Sequence, residues 1–194
     1  MTYKPPHNNI PHSIPGHISQ DEGLWLSKMA KNRFVLEIGC FRGRSTAYLS
    51  STATHVVTCD SFAGQASLRG DQTPVDFREV EREWKLNIEH LGFSEKVTLY
   101  SSRSEHAFEE IAHTFGRSFC FMFIDGGHDE KSLRADVLYS NLLENHGVIA
   151  FHDYFDSRYP AVKTIVDSWR TETDLITKPF HTINSISAYK ILHQ

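Results

Sequence analysis

The chain has 194 residues with 20 Lys+Arg against 24 Asp+Glu, a formal charge of −4; that length fits one domain with a self-sufficient core. The acidic balance excludes a protein that holds nucleic acid through a broadly basic surface, and no stretch approaches the roughly 20 apolar residues of a membrane span. Cys40, Cys59 and Cys120 stand singly, so a disulfide framework is not expected and a reducing, cytoplasmic setting fits best, the more so as no basic-then-apolar leader opens the chain.

Pro5, Pro6, Pro11 and Pro15 mark residues 1–17 as an extended arm, in which His7, His12 and His17 read as polar decoration. Such an arm could exchange between subunits of a homo-oligomer. The domain proper, 18–194, opens at Ser19, where Ser-Gln-Asp-Glu is a capping box with Glu22 reaching back. Leu24, Trp25, Leu26 and Met29 supply the face of the helix that follows. FVLEIG from Phe34 is a first strand ending in glycine, a helix suits 44–51, and HVVTCD (55–60) is a second strand. Residues 61–76 read as a loop long for a compact domain, of the kind that serves as a lid or binding loop. A helix suits 77–91, with Phe77, Val80, Trp84, Ile88 and Leu91 on one face.

VTLYS (97–101) is the third strand, and a helix over 104–115 ends at Gly116. CFMFID (120–125) has the unbroken apolar character of a strand buried on both faces. A helix bearing Leu133, Val137, Leu138 and Leu142 leads to GVIAFHD (147–153), the fifth strand. Pro160 suits the first turn of a helix carrying Val162, Ile165, Val166 and Trp169. DLITKPF and SISAYKIL read as two closing strands in a hairpin. The expected fold class is therefore α/β: a Rossmann-like, mostly parallel seven-stranded sheet with a C-terminal antiparallel hairpin and helices on both faces.

Three constellations carry chemistry. The first, Glu37-Ile38-Gly39-Cys40-Phe41-Arg42-Gly43-Arg44-Ser45, follows a strand and opens a helix, the context that makes a glycine pattern a nucleotide-site candidate. Its Gly-x-x-x-Gly spacing is not the Gly-x-Gly-x-x-Gly of dinucleotide sites, where a diphosphate needs converging amides. Glu37 and Ser45 suit the amino-acid end of S-adenosylmethionine, which has no phosphate; an ordinary strand–turn–helix is the plainer reading. The second is Asp60, closing the second strand, where an acid can accept from both ribose hydroxyls or cap a turn. The third is Asp125 with His152 and Asp153, at the ends of strands four and five. Two carboxylates and an imidazole can hold a divalent cation; loop capping and a buried structural histidine are the alternatives.

VLEIGCFRGRST, VTCDSF, FIDGGH and GVIAFHDY, in that order, resemble the class I S-adenosylmethionine-dependent methyltransferases over roughly residues 15–192. Within them the chain looks like the small group of macrolide sugar O-methyltransferases and cephalosporin-hydroxylase-like proteins, and more distantly like catechol O-methyltransferase. The resemblance implies that Glu37, Gly39, Gly43 and Ser45 form the methionine-end loop, Asp60 the ribose acid and Ser104 an adenine-side position. It implies metal ligation by Asp125, His152 and Asp153, and it places His128 where catechol O-methyltransferase has its catalytic lysine. That enzyme has an aspartate where this chain has His152, a departure that bears on which metal is held.

The reaction this implies is in-line attack of a small-molecule or sugar hydroxyl on the sulfonium methyl, with His128 as base. Magnesium is the first choice of metal; manganese, iron or zinc are admitted by the imidazole. Two rivals stand beside it. A non-haem iron oxygenase could use His152, one of the two aspartates and His128. A non-catalytic nucleoside-binding module would keep the fold alone. No membrane or nucleic-acid partner is expected.

Overall fold

A computed structural model describes residues 11–63 and 77–193. The central sheet has seven strands in the order β3-β2-β1-β4-β5-β7-β6: β1 (Phe34–Ile38), β2 (His55–Asp60), β3 (Val97–Ser101), β4 (Phe119–Ile124), β5 (Leu143–Phe151), β6 (Ile176–Ile183) and β7 (Ile186–Leu192). The first five run parallel, and β7 enters antiparallel between β5 and β6. This is the mostly parallel, Rossmann-like sheet with a C-terminal antiparallel hairpin that the alternation of elements predicted. The helices are α1 (Gln20–Ala30), α2 (Arg44–Ser50), α3 (Phe77–His90), α4 (Ser104–Phe115), α5 (Glu130–Asp136) and α6 (Pro160–Glu172).

The alternation of side chains along β1 and β4 divides the interior in two. Leu36, Ile38, Met122 and Ile124 pack with α4 and α6 residues on one face, while Val35, Phe121 and Phe123 pack with Trp25, Leu26 and Leu49 on the other. Both faces are covered, which is why these strands read as continuous apolar runs. A third cluster, of Cys40, Phe62, Val80, Trp84 and Ile88, seats α3 against the turn after β1.

Several details differ from the sequence reading. Within the expected arm, residues 11–17 lie against the domain: Pro11–Ser13 form a 3₁₀ turn, Ile14 is fully buried, and Arg44 donates to the carbonyls of Ile14 and Ile18. Residues 1–10, with His7, fall outside the described residues, as do 64–76 of the expected lid or binding loop. Leu24 and Leu138 face solvent. α5 tightens into a 3₁₀ segment over Val137–Leu142, which turns Leu138 away from the face a continuous helix would give it. β5 begins four residues early, at Leu143, because its first stretch is an exposed extension with a register shift opposite Phe119 and Phe121.

Candidate active site

The site lies at the carboxyl ends of β1, β2, β4 and β5, the edge where open α/β sheets take ligands. The turn after β1 depends on two glycines. Gly39 has φ +86° and lies so close to β4 that a Cβ would stand 2.1 Å from the Asp125 carbonyl oxygen. Gly43 has φ +92° and takes the N-cap position of α2 in the left-handed region, where other residues are strained.

Asp60 holds this turn in place. Its Oδ2 accepts from the amides of Cys40 and Phe41 at 2.9 and 2.8 Å, and its Oδ1 accepts from Phe62 N at 2.8 Å. The turn-capping alternative for Asp60 is therefore realised, and any ribose contact would be a second duty of the same carboxylate. Glu37 is fully buried. Its Oε2 accepts from Thr46 and Thr58 hydroxyls at 2.6 and 2.9 Å, while Oε1 has no hydrogen-bond partner among the described residues. Burial pushes this carboxyl up to about 7, against the pull of the Ser45, Thr46 and Thr58 hydroxyls. Ser45, which supplies one of those hydroxyls, is buried in the first turn of α2.

Ser104 opens α4, three residues beyond Ser101, the β3 partner of Asp60. Its hydroxyl donates to Asp136 Oδ1 at 2.5 Å. Asp136 is buried, and burial pushes its carboxyl up to about 7 against the Ser104 hydrogen bond. Sequence reading passed over Asp136, although an acid between the buried Leu133 and Val137 on a short helix was the available signal.

At the other end of the site, Asp125, His152 and Asp153 bring ligand atoms within 4.8 Å of one another. His152 Nδ1 lies 3.1 Å from Asp125 Oδ1 and 3.3 Å from Asp153 Oδ2, and its Nε2 lies 3.6 Å from Glu22 Oε1. Burial alone would lower the imidazole pKa, but the three carboxylates outweigh it and raise it to about 12. The same pairing lowers Glu22 to about 2 against its own burial, and His128 together with His152 holds Asp153 well below the usual carboxylate range. Sequence reading saw Glu22 only as a cap, because its meeting with His152 depends on how α1 packs.

His128 stands beside this cluster rather than in it. Its Nε2 meets Asp153 Oδ2 at 2.8 Å, and its ring stacks on Tyr159 with centroids 4.0 Å apart. Among the described residues the structure thus gathers one imidazole and two carboxylates that could hold a metal ion, rather than the two histidines and one carboxylate of a non-haem iron site.

Comparison with solved structures gives a common fold. The O-methyltransferase from Bacillus cereus in complex with SAH is 19% identical with TM-score 0.66, covering 94% of this chain and 86% of that one. TomG from Streptomyces achromogenes, an O-methyltransferase of tomaymycin synthesis in complex with SAM, is 14% identical with TM-score 0.69, covering 91% and 82%. SAH-bound PaMTH1, a methyltransferase from Podospora anserina, is 15% identical with TM-score 0.65, covering 90% and 80%. No curated protein matches in sequence. Among the described residues no helix is long and apolar enough to cross a membrane. The family model described as "Methyltransferase domain" matches residues 36–154, which runs from the first strand through the His152-Asp153 pair. That is more than half of the chain, and this protein belongs to the methyltransferase-domain family.

Proposed function

We propose that this chain transfers a methyl group from S-adenosylmethionine to a hydroxyl of a small molecule or sugar, with a divalent cation at Asp125, His152 and Asp153. The observation that carries this reading is contiguity: Gly39 abuts the Asp125 carbonyl, so the glycine turn and the carboxylate–histidine cluster form one site. The solved neighbours titled as O-methyltransferases with SAH or SAM support the donor and the type of acceptor.

The residues present suit both groups. Glu37, a buried carboxyl with one oxygen unpartnered among the described residues, would be relieved by the ammonium of the methionine end. Gly39 and Gly43 allow close backbone approach, and Ser45 supplies a hydroxyl for the methionine carboxylate. Asp60 would accept from the ribose and Ser104 would lie on the adenine side. Two carboxylates favour a hard cation, magnesium first, and the imidazole admits manganese, iron or zinc. S-adenosylmethionine supplies an electrophilic methyl group, and a bound cation would lower the acceptor hydroxyl's pKa.

The chain's own work is to hold the acceptor in line and receive its proton. Orientation of this kind can contribute about 7–11 kcal/mol. His128 takes the proton, and Asp153, hydrogen-bonded to its Nε2, stabilises the imidazolium so formed. General-base catalysis of this sort contributes roughly a hundred- to ten-thousand-fold.

The test is transfer of labelled methyl from S-adenosylmethionine to a panel of catechols and glycosides. Methylation lost on chelation and restored by magnesium or manganese is the expected result. Chelator-insensitive methylation would remove the cation from the account. Failure to bind S-adenosylhomocysteine would remove the donor.

A further inference from the structure

We infer that Glu22 is a positioning residue for His152, fixing the ring so that Nδ1 faces Asp125 and Asp153; the inference rests on the cation reading above. A capping box needs one oxygen of its glutamate, and here Oε2 fills that need, accepting from Ser19 N at 2.8 Å and Ser19 Oγ at 2.9 Å. Oε1 is surplus to the cap. It accepts from Ser185 N and Oγ at 3.2 and 2.9 Å, and it lies 3.6 Å from His152 Nε2.

Glu22 is only 3% exposed, and four donors from two distant segments hold its carboxylate still. The same Ser185 accepts from Tyr154 N through its carbonyl, at 2.9 Å. The β6–β7 turn therefore ties the start of α1 to the segment that follows β5, with His152 between them. A surface cap would require none of this. A ligating histidine is oriented by what its other ring nitrogen meets. With Nε2 turned to Glu22, the nitrogen offered to the Asp125–Asp153 pair is Nδ1.

The experiment is manganese binding to the full chain, read by the loss of the free-ion electron paramagnetic resonance signal, with thermal unfolding in parallel. Glu22→Gln should weaken manganese binding by about ten- to a hundredfold, the range for partners that orient ligands. Ser19→Ala, which breaks the cap without touching Oε1, should lower the unfolding temperature and leave manganese affinity within about threefold of wild type. If Glu22→Gln does not fold, Ser185→Ala loosens Oε1 from the far side and should weaken manganese binding with little loss of stability. Unchanged affinity in the folded Glu22→Gln protein, or in Ser185→Ala where that stands in, overturns the inference and leaves the cation site standing. Equal weakening by Ser19→Ala and Glu22→Gln also overturns it, by assigning the effect to helix anchoring. If the wild-type protein binds no manganese, the cation reading falls and this inference with it.

Discussion

Both ends of the site bury carboxylates, and they hold them in opposite states. On the β1–β2 side Glu37 is hydrogen-bonded by hydroxyls, and burial, with a smaller push from the Asp125 carboxylate, lifts its carboxyl to about 7. On the β4–β5 side Glu22 and Asp153 are also buried, yet both are held low, Glu22 by His152 and Asp153 by His128 and His152 together. The residue type and the desolvation are alike, so the neighbour decides the sign. One end lacks a cation that a ligand could bring. The other holds an imidazole among three acids that keep it protonated, and a bound cation would take the place of its Nδ1 proton.

This contrast says the two ends should be separable by mutation. The largest effect is expected from Asp125→Asn, which strikes the cation end directly and reaches Glu37 only as the least of the influences on its carboxyl. Loss of a cation's stabilisation amounts to several kcal/mol, or about a hundredfold or more in turnover. Calorimetry should find S-adenosylhomocysteine affinity almost unchanged in the same variant. A parallel loss of nucleoside binding would mean that the ends are one electrostatic unit.

Asp60→Ala strikes the other end. Loss of a charge-assisted hydrogen bond of about 1.5–3 kcal/mol corresponds to roughly ten- to a hundredfold weaker binding of S-adenosylhomocysteine. Because Asp60 also accepts from three backbone amides, the variant should unfold at a lower temperature as well. Unchanged affinity in the folded variant would leave Asp60 as a turn cap only.

His128→Ala should lower turnover by about tenfold or more, the low end of what a lost general base costs, and should spare both nucleoside and manganese binding. Loss of manganese along with activity would make His128 a ligand. No change in either would make it a structural partner of Asp153 and Tyr159.

The smallest effect is a pH dependence at Glu37. Its folded pKa is raised, so its contribution to stability is fully present below 4.5 and is lost as pH rises through about 7. An ammonium ligand favours the ionised form, so binding below pH 7 must expel a proton. S-adenosylhomocysteine affinity should therefore fall by about tenfold per pH unit below 7 and level off above it. Glu37→Gln should flatten that profile. A profile unaffected by the substitution would take the ammonium away from Glu37.

The sheet was legible in sequence because its strands are apolar on both faces and its turns are punctuated by glycine and acid. The third strand, at Val97–Ser101, falls where the pattern put it. Leu138 was misplaced because a short helix that tightens into 3₁₀ geometry changes its period, and nothing local announces that change. The Asp125, His152 and Asp153 cluster followed from strand ends alone. Glu22 and Asp136 did not, since each reaches its partner across a packing interface: Glu22 by the seating of α1 on the β6–β7 turn, Asp136 by its bond to Ser104. Asp60 carried both its readings in the sequence, and folding shows that it caps the turn whatever else it binds.

The central claim is that one site joins a nucleoside end at Glu37 and Asp60 to a cation end at Asp125, His152 and Asp153. Its most direct test is a crystal structure of the protein with S-adenosylhomocysteine and manganese, phased to show the anomalous signal of the metal. The account predicts an anomalous peak among Asp125, His152 and Asp153, with the ligand's amino group at Glu37 and its ribose at Asp60. Ligand density elsewhere on the sheet, or manganese absent from that cluster while the nucleoside is bound, would contradict it.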